Sequence, residues 1–473
     1  MTKKSVDKDA VQELLSKSLL TNFDVHEVPM VERALLDAGT EHSVALAFAQ
    51  RYTDQLKYDH HSNKWLQWTG HYWAVESTGV VSHYCRELAS RITQKLSAQR
   101  SGFVKGVETF CKNDPTFSIT SAAFDMDNYL LNTPGGTIDL RTGATREHDP
   151  KDLITNITGC APGDGYGFRF PQFLQEITCG NEELENYLQV ALGACLSGAI
   201  ESHWLQFWVG TGRNGKNTLG DAVMRVMGSY ARKIPSSTLM KTKFEGHPTE
   251  IANLKGCRLA VASEVESGSY WSESKVNELT GDTRLSARFM RGDLFEFDRT
   301  CKFLIYGNHR PKLNSVTPAL QSRIKMVRFA ADFTGVGTNP PPDPDLPEKL
   351  KAEDGNILRW LIDGHLEWIR SGKKLPVCQA VEDEGKDYVE NQATVENWIA
   401  ECLDTKPPMV DKDWGAAKSL YNHYKSWKQE RYEHPVGFGT WTESMVKKYG
   451  KSQPKRHANA YPVRLPELWD TAW

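Results

Sequence analysis

Hydrophobic positions change rhythm along this chain. Up to about residue 203 the apolar runs are short and interleaved with polar ones. Residues 1 to about 40 (VQELLSKSLL, VERALLDAG) read as polar helix. KWLQWTGHYWAV (64–75) gives aromatic strands and breaks at Thr69-Gly70, which predicts a hairpin. VVSHYCRELASRITQKLSAQ (80–99) repeats at helical spacing and predicts an amphipathic helix running on toward Phe110. The stretch 124–155, with Pro-Gly-Gly and Thr-Gly turns, reads as a β-rich piece. Residues 171–203 predict two amphipathic helices.

Farther on, short, mostly apolar runs at 207–209, 258–263 and 301–306 predict short buried strands. Residues 334–347 (TGVGTNPPPDPDLP) form a stiff, proline-rich connector, and helices follow. The last unit has helices at 394–403 and 414–431, a helix or turn near 441–449, a basic stretch at 447–457 and a strand-like YPVRL.

The run at 207–209 ends in a glycine-rich turn: Gly210, Thr211, Gly212, Arg213, Asn214, Gly215, Lys216, Asn217 and Thr218, then the helical DAVMRVMGSY. Strand, glycine loop, lysine and helix is the layout of a phosphate-binding P-loop. Glycines let backbone N–H groups converge on a phosphate, and the helix adds its positive N-terminal end. Lys216 would reach the β- and γ-phosphates. The pattern places a Mg²⁺-holding hydroxyl directly after the lysine. Here Asn217 stands there and Thr218 follows, so both are metal candidates. A ligand-free turn between strand and helix is the plain alternative.

Downstream residues suit the second half of such a site. A strand ends at Glu264 and Glu266, where a carboxylate can bind Mg²⁺ or polarise the attacking water. The strand at 301–306 ends near Asn308, which can orient that water, and Arg323 could face a neighbouring subunit's nucleotide. Between these lies a hairpin with Lys275, Arg284, Arg288 and Arg291 in or beside it, cations suited to nucleic-acid phosphates. A solvated hairpin balanced by Asp282, Asp293 and Asp298 is the alternative. Lys447, Lys448, Lys451, Lys455 and Arg456 give the last unit a basic loop that suits a winged-helix DNA reader.

Composition narrows the class. Of 473 residues, 39% are hydrophobic and 25% charged, which suits a soluble globular protein of several domains. The formal net charge of −3 makes any nucleic-acid surface local. Nine cysteines without a CxxC pair argue for a reducing compartment and against a zinc ribbon or disulfide framework. His60, His61, His71 and Cys85 lack the spacing of a metal set. The polar start and the lack of an apolar run of ~18 residues predict a cytoplasmic protein without a membrane partner.

These motifs fall in one order, and the sequence resembles the helicase part of phage and plasmid primase-helicases, the superfamily 3 helicases. That family's G-x-G-x-N-G-K-S-T loop is matched by Gly210, Gly212, Asn214, Gly215, Lys216 and Thr218. Its Ser-Glu strand end is matched by Ser263 and Glu264. Its K-x-L-T-G-G-D…A-R stretch corresponds to Lys275, Leu279, Thr280, Gly281, Asp282, Ala287 and Arg288, with one glycine missing. Its Asn-His-x-Pro is matched by Asn308, His309 and Pro311. The resemblance covers about 120–400.

It implies an α/β protein with an AAA+-like P-loop core, a mostly parallel sheet flanked by helices. An N-terminal helical and β domain would occupy 1–120 and a collar region 121–203. The ATPase core would span 204–333, a linker and helical lid 334–390, and a winged-helix-like domain 391–473. It further implies a homo-hexameric ring using ATP and Mg²⁺, with Arg323 acting in trans and 3′-to-5′ movement on single-stranded DNA. Partners would be replication-fork or origin DNA and a separate primase or polymerase. Asn217 departs from the family's serine, and no primase catalytic domain is read, so primer synthesis is not expected. An origin-binding initiator with weak hydrolysis and a small-molecule phosphotransferase are the rivals.

Overall fold

The computed structural model describes residues 39–473, apart from 94–97, 99, 202, 243–248, 264, 267, 289–293, 314–317, 336–340, 393, 404–414, 431–434, 455–458, 464 and 466–473. The helices expected over 1–38 lie outside the described residues. The chain forms two compact units. One comprises Met1–Asp127 with the returning segment Glu147–Asn156, the other Asn128–Arg146 with Ile157–Trp473.

In the first unit, α1 (Glu41–Tyr52), α2 (Val80–Ile92) and α3 (Ser101–Lys112) accompany strands β1 (Leu56–Asp59), β2 (Lys64–Trp68), β3 (Trp73–Val75) and β4 (Ser118–Ile119). Sheet order is β3-β2-β1-β4, and β2 and β3 form the expected hairpin. The single helix expected from Val80 to Phe110 is two helices, because Thr93 turns extended (φ −136°) and ends α2. Its core holds Phe48, Tyr58, Trp65, Cys85, Cys111 and Phe117. Trp73, 1% exposed, pins the returning segment. Its indole donates to the Pro150 carbonyl and its N–H to the Ile154 carbonyl, both at 2.8 Å.

The second unit begins with an antiparallel meander of β5 (Leu130–Thr133), β6 (Gly136–Asp139) and β7 (Ala144–Arg146). Helices α4 (Arg169–Thr178) and α5 (Glu182–Gly193) follow, then β8 (Leu205–Val209), α6 (Lys216–Met227), β9 (Ala231–Ile234), α7 (Thr249–Ala252) and β10 (Leu259–Ser263). Next come α8 (Glu273–Gly281), β11 (Arg284–Arg288), β12 (Leu294–Asp298), β13 (Lys302–Gly307), α9 (Pro318–Arg323) and β14 (Ile324–Arg328). β8, β9, β10, β13 and β14 form a wholly parallel sheet, ordered β14-β8-β13-β10-β9.

β8 and β13 are buried along their whole length, as apolar runs in a doubly covered sheet must be. Alternation splits the strands between two cores. Trp208, Val261, Leu304 and Tyr306 face α5 and α6, along with α11 (Asp354–Arg370), which follows α10 (Leu346–Ala352). Phe207, Ala260, Phe303 and Ile305 face α8 and the β11–β12 hairpin. Helix α4 is held by Glu353, whose carboxylate accepts from the N–H groups of Phe168 (3.0 Å), Arg169 (2.9 Å) and Phe170 (2.8 Å).

The last part carries α12 (Gln379–Gln392), α13 (Thr394–Cys402), α14 (Ala417–Glu430) and α15 (Phe438–Tyr449). A small antiparallel sheet accompanies them: β15 (Gly415–Ala416), β16 (Gln453–Pro454) and β17 (Asn459–Tyr461), ordered β15-β17-β16. Trp398, Tyr424, Trp441 and Tyr461 form a core of its own. The expected final strand lies at 459–461, a little earlier than YPVRL.

Candidate functional site

Strand register assembles the site. Gly307 pairs with Val209 across β13 and β8. Gly210 and Asn308 therefore leave the sheet side by side, at the C-terminal edge where open parallel sheets bind ligands. The chain then folds through the glycine loop and re-enters as α6 at Lys216. Gly215 has φ +80°, and a Cβ there would collide with Ile177 of α4. At Gly210 a Cβ would run into the Asn214 amide. The Phe333 N–H donates to the Arg213 carbonyl at 2.9 Å, so the loop is clamped from both sides.

Lys216 is 4% exposed. Its Nζ donates to Asn308 Oδ1 at 2.8 Å, Gly210 O at 3.3 Å and Asn214 Oδ1 at 3.4 Å. These acceptors are neutral oxygens, so none of them cancels its charge. Burial pulls its pKa below the ordinary lysine value. An anion placed here would relieve that cost. Gly215 supplies no side-chain cap to the following helix, leaving the first-turn N–H groups to a ligand. Asn217 is exposed on that turn, as is Thr211 in the loop, and Thr218 is half-buried.

Beside the loop opens a cleft of about 810 Å³. Arg213 and Thr218 line one side, and Phe173, Phe333 and Leu346 give it apolar walls. Its rim carries ion pairs: Arg169 with Glu176 at 3.0 Å, and Lys349 with Asp343 at 2.8 Å. These walls come from elements far apart in the chain, so no local motif marks them.

The other candidates are dispersed. Glu266 is exposed in a turn, its carbonyl accepting from the Ser269 N–H at 3.2 Å. Arg323 donates to Thr280 Oγ1 at 2.8 Å and lies against Gly281, at the end of α8. Lys275 donates to the Ser237 carbonyl at 3.3 Å. Arg284 pairs with Glu296 and Asp298, each at 3.4 Å, so the hairpin's own carboxylates offset its charge. Arg288, Lys447, Lys448 and Lys451 are exposed. Glu264, Arg291, Lys455 and Arg456 lie outside the described residues. Among those described, no group of three or more His, Cys, Asp or Glu could hold a metal. His71 faces His148 (Nδ1 to Nδ1, 3.4 Å), and Cys85 is buried in the first unit's core. No described helix is long and apolar enough to cross a membrane.

Comparison with known proteins adds relatives. Residues 45–179 match the family described as D5 N terminal like, and 208–323 match a family of unknown function, DUF5906. A protein named as a putative helicase of Acanthamoeba polyphaga mimivirus is 24% identical over 241 residues, 49% of this chain and 25% of its own length. Another so named, from frog virus 3, is 29% identical over 143 residues, 29% of this chain and 15% of its own length. The aligned part thus spans a quarter or less of these relatives.

Two apo structures of the NrS-1 C-terminal region share the fold. One has a TM-score of 0.51 at 10% identity, covering 87% of this chain and 95% of that one. The other has a TM-score of 0.50 at 12% identity, covering 84% and 83%. The chain is thus a mixed α/β protein with a parallel sheet, similar at low identity to viral proteins named as helicases.

Proposed function

We propose that this chain is the motor portion of a viral or mobile-element DNA helicase, in which ATP hydrolysis at the edge of β8 and β13 drives movement along single-stranded DNA. The observation that carries this reading is the buried Lys216 amine, 2.8 Å from Asn308 at adjoining strand ends. Beside it lies a cleft roomy enough for a nucleoside.

In this reading the glycine loop is a P-loop. Its N–H groups and the start of α6 take the phosphates, and the base enters between Phe173 and Phe333. Lys216 exchanges neutral oxygens for phosphate oxygens, which favours its charged form. Asn308, already at hydrogen-bond distance from that amine, orients the attacking water. Asn217 and Thr218 would hold Mg²⁺ together with phosphate oxygens. Both offer side-chain oxygens on the first turn of α6, the donor type Mg²⁺ takes. When bound, it supplies positive charge against the phosphates. Glu264 and Glu266 are the proposed carboxylates of the site.

The chain would assemble as a ring in which Arg323 serves the neighbouring subunit's nucleotide. Lys275, Arg284, Arg288 and Arg291 would meet DNA in the channel, and the basic last unit would engage fork or origin DNA. Lys216→Ala tests the core of this: DNA-stimulated ATP hydrolysis should fall by about a hundred-fold or more. Hydrolysis that survives the change refutes the reading. Asn217 in place of a hydroxyl favours a second reading, an initiator that binds nucleotide and scarcely turns it over. The turnover rate with single-stranded DNA separates the two.

A further inference from the structure

The segment that presents Asn308 is held in place by groups remote from any ligand. After β13 the chain runs through Asn308, His309, Arg310, Pro311 and Lys312. On one side its backbone is tied to 269–271. The Lys312 N–H donates to the Ser269 carbonyl at 2.7 Å, and the Trp271 N–H donates to the Lys312 carbonyl at 3.0 Å. On the other side α12 reaches it with two side chains one helical turn apart. Glu384 accepts from the Arg310 guanidinium. The Tyr388 hydroxyl donates to the Pro311 carbonyl at 2.5 Å and accepts from the Trp271 indole at 2.8 Å.

These contacts are buried. Glu384 is 5% exposed and Tyr388 2%. Glu384 and Arg328, the last residue of β14, line the same small cavity of about 290 Å³. Burial raises the Glu384 pKa, while Arg310 and Arg328 pull it down. Leucines on α12 would fasten a helix to a sheet at lower electrostatic cost, so a buried carboxylate here fixes geometry more than it adds stability. Helix α12 also leads, across one residue, into α13 of the last unit.

We infer that Glu384 and Tyr388 are positioning residues for Asn308. They hold its loop against the edge of the sheet and tie the nucleotide site to the helix that leads into the carboxy-terminal unit. This rests on the ATPase reading above and adds to it a route from that unit to turnover. Ground-state nucleotide binding belongs to 210–218 and to the apolar walls Phe173 and Phe333, which the Glu384 and Tyr388 hydrogen bonds described above do not engage. Loosening the α12 contacts should therefore lower kcat and spare affinity.

The test compares Glu384→Ala, Glu384→Gln and Tyr388→Phe, with the exposed Lys386→Ala on the same helix as control. ATP affinity, measured with a fluorescent analogue, should stay within about two-fold of the parent. kcat should fall roughly ten- to a hundred-fold, as for a catalytic group displaced by about an ångström. Glu384→Gln keeps a neutral acceptor for Arg310 and should retain more activity than Glu384→Ala. Without nucleotide, amide exchange over 307–312 should quicken in Glu384→Ala and not in Lys386→Ala. Unchanged kcat, or kcat and affinity falling together with the melting temperature in every variant, overturns the inference. If Lys216→Ala leaves hydrolysis intact, the ATPase reading fails instead, and the exchange result still decides whether α12 holds the loop.

Discussion

Lys302→Met probes how the parallel sheet is joined to the helices before it. Lys302 opens β13 and is 3% exposed. Its Nζ donates to the Ala199 carbonyl at 2.8 Å and the Ser197 carbonyl at 3.2 Å. Arg258, just ahead of the neighbouring β10, donates to the carbonyls of Leu196 (2.6 Å) and Leu130 (2.8 Å). Two buried cations thus satisfy the carbonyls of Leu196, Ser197 and Ala199 beyond α5 and that of Leu130 in β5. Burial drops the Lys302 pKa from its ordinary 10.5 to about 8. That shift corresponds to roughly 3 kcal/mol spent on keeping the amine charged at neutral pH.

Methionine removes this cost but strands two buried acceptors, at about 1–3 kcal/mol each. Near pH 7 the terms nearly cancel, so the variant should lie within about 2 kcal/mol of the parent. The folded protein releases this proton near pH 8, the unfolded chain near 10.5. Between these values the unfolded state binds more protons, so the parent gains stability as pH rises. The methionine variant does not share that gain. Its deficit should therefore widen by about 2 kcal/mol between pH 7 and 9.5. Paired urea unfolding curves at the two values measure this; the neighbouring Cys195 and Cys301 thiols, which feel Lys302, are pushed by burial to about 12 and about 11 and stay protonated in both folded proteins over this range. A deficit that stays constant would mean that the carbonyls hold Lys302 charged, and the burial argument would be refuted.

Gly215→Ala should cost about 2–4 kcal/mol, from a positive φ and the collision with Ile177, and should weaken nucleotide binding; thermal melting and nucleotide titration check both. Burial pushes the Glu353 pKa up, but the N–H groups of Arg169, Phe168 and Phe170 outweigh it and leave the carboxyl below its ordinary 4.5. Its contribution is therefore present above pH 4.5 and lost as pH falls through the lower folded value. Glu353→Gln should cost about 1–2 kcal/mol at pH 7 and flatten acid unfolding followed by circular dichroism. Arg323→Ala removes the bond to Thr280 and should cost about 1 kcal/mol. If Arg323 serves a neighbour, mixing this variant with Lys216→Ala should restore part of the lost hydrolysis, and a mixture as inactive as its components would place its action elsewhere.

Local signals fixed much of this protein. Short, mostly apolar runs at β8, β10 and β13 read as strands covered on both faces, and the glycines before Lys216 marked a turn that a side chain would obstruct. The helices of the last unit and the hairpin at Thr69-Gly70 were equally legible, since each depends on neighbours within a dozen residues. Chain order could not say that β13 inserts between β8 and β10, yet that insertion brings Asn308 to Lys216. Nor could it reveal the cleft walls, the return of 147–156 to the first unit, or the grip of Glu384 on Arg310. Side-chain periodicity records which face of an element is buried, whereas a site is made by which elements meet, and that is decided only when sheet order and helix packing set distant residues at hydrogen-bond distance.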